Sequence, residues 1–274
     1  MQEEDKLPFT DHLEELRTRL IRCFIAIAIG AAAAYAFKEV IFDLLTRPLI
    51  EVLPEGDAII FTGLPEAFFT YLKVSLLAGL LLASPVIIFE IWMFIAPGLY
   101  KREKWVMGPA VLLSVLFFTG GALFGYYFVF PFGFKFFLGF ASESLRALPT
   151  MKEYLSFASK LLMAFGLAFE LPIFITILAV LGLVTPAFLR KNRKYAVVFF
   201  FIFGAILTPP DVVTQILLAT PMILLYELSI FGAMAFGRRP LGATDDEGEN
   251  EDEDENQGAE PAVKNDEVAT KEDA

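Results

Sequence analysis

Carboxylates are the side chains of this chain that could do chemistry. A single cysteine, Cys23, and a single histidine, His12, exclude an intrachain disulfide, a cysteine-ligated zinc or iron–sulfur centre and bis-histidine haem ligation. No G-x-x-x-x-G-K-S/T run offers a phosphate loop. A serine protease acting within a membrane would need a Ser–His pair at depth, and His12 lies ahead of the first apolar segment. An aspartyl protease would need two Asp within the apolar segments, which hold none. The expectation is no enzyme, no metal and no cofactor.

The informative acids form two sets. Glu170, in MAFGLAFELP, lies inside an apolar segment, with Glu227 and Glu90 as milder cases. An ionised Glu facing lipid costs at least about 2.5–3.5 kcal/mol on insertion scales, so Glu170 should face protein or water, or carry a proton. It is either a structural interhelical hydrogen-bonding group or part of a polar pathway or docking point. The second set sits at the edges of apolar segments. In PFTDHLEELRTRL, Leu13, Leu16 and Leu20 share one helical face, and Glu15 and Arg19 lie one turn apart on the other. Asp11 is placed to cap that helix, with Glu14 three residues on. The bland reading of Glu15 is an exposed pair with Arg19 worth about 0.3–0.5 kcal/mol. In FIAPGLYKREKWVM, Glu103 is the only acid, among Lys101, Arg102 and Lys104, with Phe94 and Trp105 at the membrane edges. Its bland reading is a solvated charge, and theirs an aromatic belt.

The elements that carry these groups follow from composition. The 274 residues are 56% hydrophobic with a mean hydropathy of +0.60, above a soluble domain. The net charge of −11 belongs to residues 241–274, which hold 14 Asp/Glu against 2 Lys, whereas 1–240 hold 19 acids and 20 bases. That distribution excludes an acidic globular protein and a nucleic-acid binder. It divides the chain into a membrane domain, 1–240, and a disordered acidic tail, 241–274.

Within 1–240, six apolar helices are predicted near 20–37, 67–96, 106–134, 154–184, 195–207 and 212–236, behind an amphipathic N-terminal helix at 8–20. The fifth has 13 residues, roughly 20 Å at 1.5 Å per residue, short of a bilayer core of about 30 Å. Thirteen Lys/Arg on the side of the termini against five opposite put both termini in the cytoplasm. Segment 38–66, with Pro48 in the amphipathic piece EVIFDLLTRPLIEVL, should cap the outer surface. Gly121 and Gly125 form a face for close helix approach.

Four strings, HLEELRTRL, FIAPGLYKRE, MAFGLAFELP and LTPPD, coincide in one order over about residues 8–236. In them the chain resembles the TatC family of the twin-arginine protein translocase. That resemblance implies an all-α membrane protein, six transmembrane helices in a concave, glove-like bundle with the fifth and sixth short. It implies a receptor in the bacterial inner membrane that binds twin-arginine signal peptides of folded cargo at its cytoplasmic face. Such receptors assemble with single-span TatA- and TatB-type subunits, form homo-oligomers and work on the proton motive force. By motif position the signal-peptide residues are Glu15, Glu103 and Phe94, with Arg17 beside them as a structural partner. Glu170, Gln215, Thr208 and Glu227 would be intramembrane polar or partner-docking groups, and Pro48 and Asp211 would belong to the outer cap and loop. Glu90 departs from the family's pattern, where members often carry Gln. A carboxylate accepts a guanidinium through two parallel hydrogen bonds, whereas Lys offers a point charge, so two acids meeting two arginines would reject Lys-Lys. The rival reading is a proton-coupled transporter of a small solute acting through Glu170 and Glu227, which would usually show inverted repeats; the sequence shows none.

Overall fold

Prolines and glycines, more than hydropathy, decide how the apolar runs become helices. The computed structural model describes residues 9–54, 56–95, 104–142, 147–207 and 212–237. Helix α1 runs Phe9–Tyr35, α2 Lys38–Ile50, α3 Glu66–Ile95 and α4 Lys104–Phe124; a π-helical turn, Gly125–Val129, leads into α5, Phe130–Leu138. Then come α6 Met151–Phe169, α7 Leu171–Val180, α8 Pro186–Lys191, α9 Arg193–Leu207 and α10 Val212–Phe236. Five stretches are long and apolar enough to cross a membrane: His12–Tyr35, Glu66–Ile95, Gly108–Leu138, Met151–Val180 and Val212–Phe236. The chain is a helical membrane protein.

Three expectations are corrected. The amphipathic segment and the first span are one continuous helix, because nothing between Phe9 and Tyr35 removes an N–H or frees the backbone until Gly30. Asp11 therefore lies inside α1 rather than at its N-cap. The fourth segment is broken at Glu170, because Pro172 has no N–H to continue the ladder. The sixth helix is not short: α10 runs 25 residues straight through Pro221. The fifth, α9, has 15 residues, about 22 Å at 1.5 Å per residue, and stays short of a span.

At Pro48 and Pro85 the carbonyl freed by the proline is taken by a neighbour, as membranes require. Pro48 cannot donate to the Leu44 carbonyl, and Tyr126 Oη donates there instead at 2.5 Å. The Tyr154 hydroxyl donates to the next carbonyl, that of Leu45. Pro85 frees the Leu81 carbonyl, and Ser84 Oγ donates to it at 2.7 Å. Pro48 is thus a buried joint that docks α2 onto the rest of the bundle.

Small residues fix the helix crossings. A Cβ on Gly30 would lie 2.7 Å from the Gly79 carbonyl oxygen, so α1 and α3 touch backbone to backbone. A Cβ on Gly121 would lie 2.8 Å from the Phe169 Cβ, the close approach expected of that face. Val74, Phe130, Leu155, Phe165 and Leu218 fill the core among α3, α5, α6 and α10. At the α2 end, Ile60 and Thr150 form a bridge, with Met151 N–H on the Ile60 carbonyl at 2.8 Å.

Candidate functional site

The crossing at Gly30 and Gly79 sets the register of a charged cluster further along the same helix pair. Arg19 lies 11 residues before Gly30 on α1, and Glu90 lies 11 residues after Gly79 on α3. Eleven residues are close to three whole turns, so each shares the face of its glycine, about 16 Å away along an antiparallel pair. The two side chains must then meet, and they do. Arg19 Nη1 donates to Glu90 Oε2 at 2.8 Å, while its Nε and Nη2 donate to Glu15 Oε1 at 2.9 and 2.6 Å. Arg22 Nη1 reaches Glu90 Oε1 at 3.3 Å. His12 stacks on Phe94, centroids 4.3 Å apart at 13°, and its Nδ1 stands 3.7 Å from Glu15 Oε2.

The four charges differ in how firmly they are held. The side chain of Glu90 is only 8% exposed and that of Arg19 15%, while Glu15 is 27% and Arg22 59% exposed. Leaving a buried carboxylate unpaired would cost several kcal/mol, which is why Glu90 takes two guanidiniums. Glu15 is the reachable member, and its Oε2 carries only the long approach of His12.

Of the residues expected in this site, Glu15 and Phe94 are joined through His12, which stacks on Phe94 and approaches Glu15. Arg17 points to solvent and makes no ion pair among the described residues; the structural partners are Arg19 and Arg22. Glu103 lies outside the described residues, as do Thr208 and Asp211. Next to the cluster, Leu20, Phe24, Ile88, Ile91, Trp92 and Phe174 line an apolar groove of about 570 Å³, with Glu170 also in its wall. Trp92 Nε1 donates to Ser114 Oγ at 2.9 Å, and Ser114 in turn faces the Glu170 carboxylate, whose Oε1 is buried with no hydrogen-bond partner among the described residues.

A sequence model of the family described as Sec-independent protein translocase protein (TatC) matches residues 11–221. The chain belongs to the TatC family. It is 58% identical over 250 residues to the Sec-independent protein translocase protein TatC of Desulforapulum autotrophicum, covering 91% of this chain and 93% of that one. To the Escherichia coli K12 TatC it is 42% identical over 231 residues, 84% of this chain and 90% of that one. A crystal structure of TatC, described as a twin arginine translocase receptor, matches with a TM-score of 0.74 at 44% identity, over 83% of this chain and all of that one. The chain is accordingly a component of a protein translocase in the bacterial inner membrane, and the small-solute transporter is set aside.

The remaining expected groups are dispersed. Gln215 Nε2 donates to the Phe201 carbonyl at 2.8 Å, tying α10 to α9. Glu170 lines the groove beside α1, α3 and α4 instead, so these two do not share a face. Glu227 is no midplane acid: Arg193 Nη2 donates to its Oε2 at 2.6 Å where α9 begins. Sequence reasoning missed Glu90, Arg19 and Arg22 as one unit; the 11-residue spacing of Arg19 and Glu90 from Gly30 and Gly79 was the signal that could have found it.

Proposed function

We propose that this protein is the receptor core that binds twin-arginine signal peptides, and that Glu15 is a carboxylate reading one of the two arginines. The observation that carries this is the way Glu15 is already bound: a guanidinium forks onto Oε1, while Oε2 meets only His12, at 3.7 Å, whose ring stacks on Phe94. A carboxylate that already takes one guanidinium by two donors can take a peptide arginine in its place. Glu103, by its place in LYKRE, takes the second arginine. The adjacent apolar groove accepts the hydrophobic residues that follow the pair.

In this reading the N-terminus and the acidic tail are cytoplasmic, and α9 crosses a thinned patch of bilayer as the sixth span. Single-span TatA- and TatB-type subunits pack along α9 and α10. Phe199, Ile202 and Ile206 on α9 and Leu224, Leu228 and Phe231 on α10 are exposed apolar residues available to them. The chain itself catalyses no covalent step, and the proton motive force drives transport.

The test is export of a folded reporter in cells whose only copy of the receptor is this chain. A reporter with an Arg-Arg leader should be exported, its Lys-Lys twin should not, and Glu15→Ala or Glu103→Ala should abolish export at unchanged receptor abundance. Export that survives both substitutions would reject these carboxylates as the reading head.

A further inference from the structure

We propose that Arg19 is a built-in occupant of the Glu15 carboxylate, and that Glu90 is the station that holds Arg19 when a peptide arginine takes Glu15. The inference rests on the receptor reading and adds a positioning pair to it. Its basis is which edge of Arg19 is used where. The forked edge, Nε with Nη2, lies on Glu15, and the remaining nitrogen, Nη1, lies on Glu90. A peptide guanidinium that docks on Glu15 by two parallel hydrogen bonds uses both oxygens, and Arg19, with two donors on Oε1, holds one of them. Binding and release of Arg19 from Glu15 are therefore one exchange.

Glu90 makes that exchange cheap. Without a second anion, Arg19 would leave Glu15 as an uncompensated, half-buried cation next to an incoming cation. With Glu90, it keeps its 2.8 Å contact through Nη1 and needs only to turn its other nitrogens toward Oε1. The group that must yield there is Arg22, whose contact is the longest of the cluster at 3.3 Å and whose side chain is 59% exposed. Arg22 can pass its charge to water, because its own side chain is mostly exposed, and Glu90 stays paired through Arg19. At rest two carboxylates balance two guanidiniums; on binding, the peptide arginine replaces Arg22 in that balance. A neutral Gln at position 90 would leave Arg19 with Glu15 as its only anion in the cluster.

The experiment is equilibrium binding of a fluorescent Arg-Arg signal peptide to the full chain in nanodiscs, for wild type, Arg19→Gln, Arg19→Lys, Glu90→Gln, Arg19→Gln/Glu90→Gln and Glu15→Ala. Removing the internal competitor in Arg19→Gln should tighten binding about tenfold or more, the scale of one charge-assisted hydrogen bond. Glu90→Gln should weaken it by a similar factor, and the double variant should match Arg19→Gln, since Glu90 then has no occupant to hold. Arg19→Lys keeps the charge and loses the fork, so it should fall between wild type and Arg19→Gln, and it carries the test if Arg19→Gln is not folded. Arg19→Gln or Arg19→Lys binding no tighter than wild type, with Glu15→Ala defective, would overturn the exchange and leave the receptor reading standing. Arg-Arg binding undiminished in Glu15→Ala would reject the receptor reading itself.

Discussion

Two glutamates in this protein are each at the centre of a hydrogen-bonded cluster, and they are built from opposite kinds of donor. Glu66, at the start of α3, accepts from the Thr62 and Gly63 N–H groups at 2.7 and 3.2 Å and from Thr62 Oγ1 at 3.1 Å. Its other oxygen accepts from the Lys152 N–H at 3.0 Å, across a sequence gap of 86 residues. Backbone donors cannot leave, so Glu66 staples the turn before α3 to the start of α6. Glu15 is held by the side chain of Arg19, which can rotate and has a second anion waiting. A carboxylate saturated by backbone is structure; one held by a mobile guanidinium, with an oxygen to spare, is a site that can exchange its ligand.

The comparison would break first at the crossing that positions the exchangeable cluster. A Cβ on Gly79 would collide with the Ala31 backbone, so Gly79→Val must push α1 from α3 and part Arg19 from Glu90. We expect loss of peptide binding by more than about tenfold, since the charge-assisted contacts are lost together, together with a lower melting midpoint. Glu66→Ala should separate the two clusters cleanly: the melting midpoint falls by several degrees while peptide affinity stays within a factor of about two. Equal loss of binding in that variant would mean that the two ends are not independent.

Smaller effects sharpen the same contrast. Tyr154→Phe removes the hydroxyl that holds the Leu45 carbonyl and should cost about 1–2 kcal/mol in denaturant titrations without changing peptide affinity. Arg193→Ala removes the partly exposed pair with Glu227 and should cost no more than about 1 kcal/mol. A larger loss would show that the α9–α10 junction depends on charge rather than on packing.

Much of the fold was legible because its cause is local. The bounds of α10, the amphipathic helix that carries Pro48, the close approach at Gly121 and the one-turn pairing of Glu15 with Arg19 all follow from periodicity or from a neighbour a few residues away. Glu90 was not legible as a counter-ion, because its partners lie 68 and 71 residues away and hydropathy fixes neither which helices pack nor their register. The small residues at 30 and 79 do fix it, and pairing charges by their distance from such a crossing would have joined Arg19 to Glu90. Glu66 was invisible for a related reason: its distant donor is a backbone N–H, which every residue but proline carries. The break at Glu170 was readable from Pro172, but the apolar content of the run masked it.

The measurement that bears most directly on the account is binding of an Arg-Arg signal peptide and its Lys-Lys twin to the purified chain in nanodiscs, for wild type and Glu15→Ala. A forked carboxylate site predicts that wild type prefers Arg-Arg by roughly 10-fold or more, the value of about one bidentate pair, and that Glu15→Ala erases the preference by losing only the Arg-Arg affinity. Equal affinity of the two peptides for wild type, or a preference that Glu15→Ala leaves intact, would contradict it.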